Sequence, residues 1–155
     1  MTMALKKTVE DGYADIHEKF VVSTDKSRLN VDTIGAFFAR SYWAASRPRQ
    51  TIIKSIENSL CYAAYHGERQ VSFARVVTDY ATYAYLCDVF VDEDYRGHGL
   101  GKLMMEHIMK NPDLSNLRRF TLATDDAQGL YKKFGFDSLS TEDQPKFMCI
   151  LKEGV

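Results

Sequence analysis

"VDEDYRGHGLGKLMMEHIM", running from Val91 to Met109, sets three glycines, an arginine and a lysine between two apolar patterns. Val89, Phe90 and Val91 read as the end of a buried strand. Leu100, Leu103, Met104, His107 and Ile108 fall on one helical face. A strand that turns through glycines into a helix suits a phosphate. The first N–H groups of a helix lack intrahelical acceptors and carry partial positive charge, and glycine removes the Cβ that would hold a diphosphate off. Spacing excludes two familiar versions. A Walker loop needs Ser or Thr after its Gly-Lys, but Leu103 follows Gly101–Lys102, and Arg96 stands where the first glycine belongs. A dinucleotide fingerprint needs G-x-G-x-x-G after the first strand of a βαβ unit; here Gly97, Gly99 and Gly101 alternate behind an antiparallel meander. A tight turn with glycines for sharpness alone is the plain alternative.

Outward from this turn, the chain reads as strands and helices without linker, repeat or low-complexity segment. A first strand is expected at Lys19–Ser23. Asn30 is placed to cap a helix carrying Val31, Ile34, Phe37, Phe38 and Ser41 at helical intervals. Pro48 can open a second helix on which Ile52, Ile53, Ile56 and Leu60 keep the period. "SLCYAAYHGERQVSFARVVTD" is two β-rich runs about a turn at His66–Gly67–Glu68–Arg69, and Tyr83–Val91 extends them into a meander. A helix over about Gly99–Met109 stops at Asn111–Pro112. Arg118–Thr124 reads as strand, Ala127–Phe134 as a short helix with Gly135 as its C-terminal cap, and "PKFMCILK" as a last strand. The order β-α-α-β-β-β-α-β-α-β predicts an α/β protein of the α+β type, with a mixed, mostly antiparallel sheet and helices on both faces.

Length and composition fit one domain over residues 1–155. Hydrophobic residues are 45% and charged residues 26% of 155, ordinary values for a globular chain with a sizeable core. Lys plus Arg number 20 against 21 for Asp plus Glu, a net charge of −1. That balance carries no electrostatic footprint for nucleic acid or an anionic membrane, although a local basic pocket stays open. Cys61, Cys87 and Cys149 lie in apolar runs without metal-ligand spacing, and read as reduced core residues with no metal. The first twenty residues have no apolar signal region, and no run reaches the roughly 20 residues of a membrane span. The expectation is a cytoplasmic protein.

Two motifs carry a resemblance. Arg96, Gly99 and Gly101 match Arg/Gln-x-x-Gly-x-Gly/Ala after a strand, and "GLYKKFGF", Gly129–Phe136, matches Leu-Tyr-x-x-x-Gly-Phe. With this strand order, the sequence resembles the GNAT superfamily of N-acetyltransferases, most specifically over Val71–Leu139. The resemblance implies acetyl-CoA as donor, its pyrophosphate on the backbone of Arg96, Gly97, His98, Gly99, Leu100, Gly101 and Lys102. It implies a pantetheine arm bonded by backbone groups of Val89, Phe90 and Val91, and a neighbouring strand, Arg118–Thr124, splayed to leave a slot. The family often carries an Asn near the start of the second motif. Thr124–Asp125–Asp126 stands here, so Asp126 occupies a cofactor-contact position without the amide.

Tyr131 matches the tyrosine often assigned as general acid to the CoA thiolate; its helical stripe with Ala127, Leu130 and Phe134 equally describes a core tyrosine. Asp88, a carboxylate in the otherwise apolar "YLCDVFV", is the candidate base, and a structural partner for an arginine is its alternative. Tyr42, Trp43 and Arg47 in "RSYWAASRPR" could line a pocket for an amine with an apolar or anionic part, or pack a helix; Asp79 and Tyr83 carry the same ambiguity. The function expected is transfer of acetyl from acetyl-CoA to a primary amine, a small molecule favoured, by direct attack in a ternary complex. A protein or peptide amine acceptor and a non-catalytic acyl-CoA-binding module are the alternatives. A homodimer stays open.

Overall fold

Alternating apolar residues in a computed structural model, which describes residues Glu18–Lys152, build the meander that organises the molecule. Strands β1 (Val21–Ser23), β2 (Leu60–His66), β3 (Arg69–Gln70), β4 (Ser72–Thr78), β5 (Tyr83–Val91) and β6 (Arg119–Leu122) form one six-stranded sheet. Its order is β1-β2-β4-β5-β6, with β3 continuing the hairpin from β2. The hairpin reverses through Gly67 at φ 59°, leaving His66 opposite Arg69. Every pairing is antiparallel except β5 with β6, which is parallel.

Helices cover both faces, as their apolar stripes require. Helix α1 (Val31–Ala39) starts where Asn30 accepts the N–H of Thr33 at 3.0 Å, and buries Ile34, Phe37 and Phe38. Helix α2 (Arg49–Glu57) follows Pro48 and buries Ile52 and Ile56. Together they cover Cys61, Phe73 and Phe90. The opposite core lies under α3 (Leu100–Lys110) and α4 (Gln128–Lys132), where Leu100, Leu103, Met104, Met105 and Ile108 meet Val76, Ala84 and Leu86. Gly135, at φ 92°, supplies the left-handed turn beyond α4.

Four expectations need correction: Ser41 lies beyond α1, which ends at Ala39, Cys149 is exposed rather than in the core, and two concern strands. Leu60, expected on the stripe of the second helix, begins β2, because α2 closes at Glu57 and Asn58 turns its N–H back to Lys54. The run Pro145–Lys152, expected as a strand, contains none. Gln144–Lys146 is a 3-10 turn tied down by Ser140, Asp143 and the Leu139 carbonyl. The chain then runs without a ladder, leaving Met148, Ile150 and Leu151 at 94%, 89% and 89% exposure. β-propensity expresses itself only through a ladder, and this run forms none, although Phe147 lies 4.9 Å under the Arg119 guanidinium of β6.

The sheet opens at β5. Its parallel ladder with β6 joins Tyr83–Leu86 to Arg119–Leu122 and ends there, whereas β5 continues to Val91. Facing β4, β5 holds one extra residue: Phe73 opposes Phe90, but Arg75 opposes Cys87. Asp88 sits at this bulge with φ 53°, a left-handed conformation that Asp tolerates better than most residues. The bulge changes which side chains reach each core. Ala84 and Leu86 face α3 before it, and Phe90 joins the α1–α2 core after it.

Candidate active site

The splitting of β5 from β6 creates a cleft of about 430 Å³. One wall is Leu86–Val89 with Arg47 and Arg75; the other is Leu122–Ala127 with Tyr131; Tyr42 and Trp43 stand at the mouth. Along Cys87–Val91 no strand pairs with β5 on the β6 side among the described residues. Backbone groups on such an edge need partners, and an extended amide-bearing chain lying alongside can supply them.

Beyond that edge, Asp92 caps the 3-10 turn Glu93–Tyr95 and the glycine loop enters α3. Gly97 and Gly99 adopt φ 81° and 80°, and Gly99 stands at the N-cap with no side-chain cap bond. Gly101 serves differently: a Cβ there would meet Leu130 Cδ2 of α4 at 3.5 Å. Arg96 folds back, its Nε donating to the Val91 carbonyl at 3.2 Å and its guanidinium 5.4 Å from the Phe90 ring. Lys102 sits one turn before Glu106, 4.0 Å from its carboxylate. His98 is exposed on the loop. The α3 entrance thus keeps the open, positively polarised backbone that suits a diphosphate.

Asp88 lies at the floor of the cleft with its side chain 2% exposed. Its Oδ2 accepts from Arg47 Nη1 and Arg75 Nε, each at 2.8 Å. Arg75 also donates to Ser59 Oγ at 3.1 Å, and Arg47 lies 5.0 Å from the Phe38 ring. This is the arginine-partner arrangement, in which Oδ2 is committed to two guanidiniums. Arg75 escaped sequence reasoning, yet it is the one charge in β4, as Asp88 is in β5. Complementary lone charges in neighbouring apolar strands are a readable sign of a pair.

Tyr131 is 8% exposed and faces the cleft, its ring edge-on to Phe136. Burial, then the Asp126 carboxylate and Tyr42, push its hydroxyl up, so it holds its proton at neutral pH. Cys87 also lines the cleft, but burial pushes its thiol and that of Cys61 up to about 11 despite Arg75 nearby. A thiol so protonated is a poor nucleophile. Alkylation at pH 7 followed by mass spectrometry is expected to label exposed Cys149 at least about tenfold faster than Cys61 or Cys87, whose thiols burial pushes up. Equal labelling of Cys87 would overturn this.

The cleft therefore gathers Tyr42, Trp43, Arg47, Asp88, Val89, Asp126 and Tyr131. Phe90, Val91 and the Arg96–Lys102 loop lie beyond its lining, along β5 and at the α3 entrance, and two acceptor-site candidates lie elsewhere. Asp79 organises the β4–β5 turn, accepting from the N–H groups of Ala81, Thr82 and Tyr83 and from the Thr82 hydroxyl. Tyr83 bonds Thr121 Oγ1 at 2.6 Å and lines an adjoining apolar groove with Phe120, Phe136 and Phe147, which meets the cleft at Tyr131. Asp79 is thus a turn residue, and Tyr83 a sheet residue, at the far end of β5.

A family profile described as an acetyltransferase (GNAT) domain matches residues 57–138, covering the meander, the glycine loop, the split and α4. The chain belongs to the GNAT family. A Xanthomonas campestris pv. campestris protein assigned to the GNAT acetyltransferases is 42% identical and superimposes with a TM-score of 0.83 over 88% of this chain and 95% of its own. A protein of Gibberella zeae assigned as an acetyltransferase is 28% identical over 74% of this chain and 76% of its own. At 18% identity, a Mycobacterium tuberculosis protein solved with CoA shares the fold, with a TM-score of 0.63 over 77% of this chain and 73% of its own. This GNAT chain is accordingly an acyltransferase, and acetyl transfer is the family's activity. Among its described residues no helix is long and apolar enough to cross a membrane.

Proposed function

We propose that this GNAT protein moves the acetyl group of acetyl-CoA to the primary amine of a small molecule, by direct attack with both substrates bound. The observation that carries this reading is the open edge of β5, running between an uncapped, glycine-led helix entrance and Tyr131. The CoA bound to the M. tuberculosis relative supports the choice of donor. The residues present fit such a donor. The backbone from Arg96 to Lys102 would hold the pyrophosphate, Val89–Val91 the pantetheine amides, and Arg96 would add charge beside them.

Bound acetyl-CoA supplies the electrophilic acyl carbon: its bond to the amine nitrogen forms as its bond to sulfur breaks, and the sulfur takes up a proton. Tyr131 gives that proton from its hydroxyl, and the proton lost by the amine leaves through water in the cleft to restore it. A backbone N–H near Val89 would polarise the acyl oxygen. Asp88 acts through its arginines and touches no reacting atom. Cys87, protonated at neutral pH, takes no covalent part.

Thiol release from acetyl-CoA across a panel of amines tests the reading. Tyr131→Phe is expected to lower kcat by about 100-fold, the usual scale for a general acid, with the KM for acetyl-CoA unchanged. The alkaline limb of the unsubstituted protein should lie above the ordinary tyrosine range, because the Tyr131 hydroxyl is pushed up, and Tyr131→Phe should lose it. No release with any amine would end the reading, and an undiminished kcat would remove Tyr131 from it.

A further inference from the structure

The floor of the cleft holds more positive than negative charge. Arg47 and Arg75 share a single oxygen of Asp88, leaving one guanidinium charge in excess. Their side chains are only 19% and 15% exposed. Charges withdrawn this far from water are costly unless their donors are filled. Arg75 spends two nitrogens, on Asp88 and on Ser59. Among the described residues Arg47 donates a single hydrogen bond, from Nη1, while its guanidinium has five N–H groups. The Phe38 ring 5.0 Å behind it steadies the planar group. Arg47 is thus a pre-oriented fork lining the cleft with most of its donors uncommitted, the geometry that takes a carboxylate.

The opposite wall has the other sign. Asp125 and Asp126 lie at the cleft between β6 and α4, and Asp126 is close enough to raise the Tyr131 hydroxyl. A ligand whose ammonium approached that wall would have its anionic end directed to the arginine floor. Tyr42 and Trp43, packed edge to face with centroids 5.0 Å apart, offer an apolar side between the two. A plain alkylamine would leave Arg47 unmet. A polycation would meet it with repulsion.

We infer that the acceptor is a small aminocarboxylate, a primary amine with a carboxylate a few bonds away, and that Arg47 selects it by holding the carboxylate while Asp88 fixes the guanidinium. This rests on the acetyltransfer reading above and names its acceptor class. Asp88 is a positioning residue in this scheme. Arg75 keeps that carboxylate charge-balanced when Arg47 is removed, which makes Arg47 the safer residue to change.

The test compares each common amino acid with its own primary amide, by thiol release at saturating acetyl-CoA. Acids are expected to exceed their amides in kcat/KM by about 10- to 100-fold, the worth of a hydrogen-bonded ionic contact. Arg47→Gln should raise the KM for acids by a similar factor, leave kcat and the KM for acetyl-CoA near their starting values, and erase the preference. Arg47→Lys, which keeps the charge but loses the fork, should fall between the two. Quenching or shift of Trp43 emission, from the chain's one tryptophan, reports acceptor binding without turnover and should weaken in parallel. Acids and amides used equally, or an Arg47→Gln loss shared by both, overturns the carboxylate assignment and leaves acetyl transfer standing. Turnover with no amine removes both.

Discussion

Asp88→Ala is expected to destabilise the fold by about 3–5 kcal/mol, the cost of breaking a buried ion pair from one side. The carboxylate is 2% exposed and answers two guanidiniums that are themselves largely withdrawn from water. Its removal leaves two like charges facing each other at the floor of the cleft, with Arg75 still held by Ser59. Alanine meets a second cost: at φ 53° an L-residue without a short polar side chain is strained by about 1–2 kcal/mol. Asp88→Asn separates the two. Asparagine tolerates the left-handed conformation and its carbonyl can still accept from both arginines, so its loss should be roughly half as large. Urea midpoints at unchanged m-value measure both. Against a typical 5–15 kcal/mol of total stability, the alanine loss would bring unfolding within reach at moderate temperature. A shift below about 1 kcal/mol for Asp88→Ala would mean that water already solvates the arginines.

This charge cluster marks where the sequence stops being readable. Local signals settled most elements: Asn30 as a cap, Pro48 before α2, Gly67 in the hairpin and Gly135 after α4 each act on residues within a turn of themselves. Asp88 was conspicuous as a charge in an apolar strand, but its role depends on Arg75 across the ladder and Arg47 forty-one residues away. The bulge that sets Arg75 opposite Cys87 shifts pairing by one residue, which no alternation pattern displays. Asp79 misled for the opposite reason. Beside tyrosines it suggests a pocket, although its spacing to Thr82 is that of a self-bonded turn. The closing strand failed because Phe147–Leu151 has the composition of a strand but makes no ladder, its contact with the sheet being the Phe147 ring against Arg119 of β6. The glycine loop was legible because its chemistry is carried by the backbone of consecutive residues.

Gly99→Val is the decisive change in that loop, and it is expected to weaken acetyl-CoA binding by at least about 30-fold, the loss of more than one backbone bond to a charged group. Gly99 combines φ 80° with the N-cap of α3, and its carbonyl accepts the Leu103 N–H at 2.9 Å. A β-branched residue resists the left-handed region and, if forced there, places its side chain at the approach to the helix entrance. Strain and obstruction can be told apart. Gly99→Asn is tolerated in the left-handed region, so its melting temperature should stay near that of the parent while its affinity for CoA still falls. Gly101→Ala is the contrasting case, since its Cβ would make only an ordinary 3.5 Å contact with Leu130, and it should cost much less of either. Calorimetric titration with CoA, alongside melting without ligand, reads both quantities. If all three variants bound CoA as the parent does, the glycines would be shaping a turn and the pyrophosphate would have to sit elsewhere. If Gly99→Val and Gly99→Asn lose affinity in common while only the first loses stability, the phosphate is gripped by the start of α3.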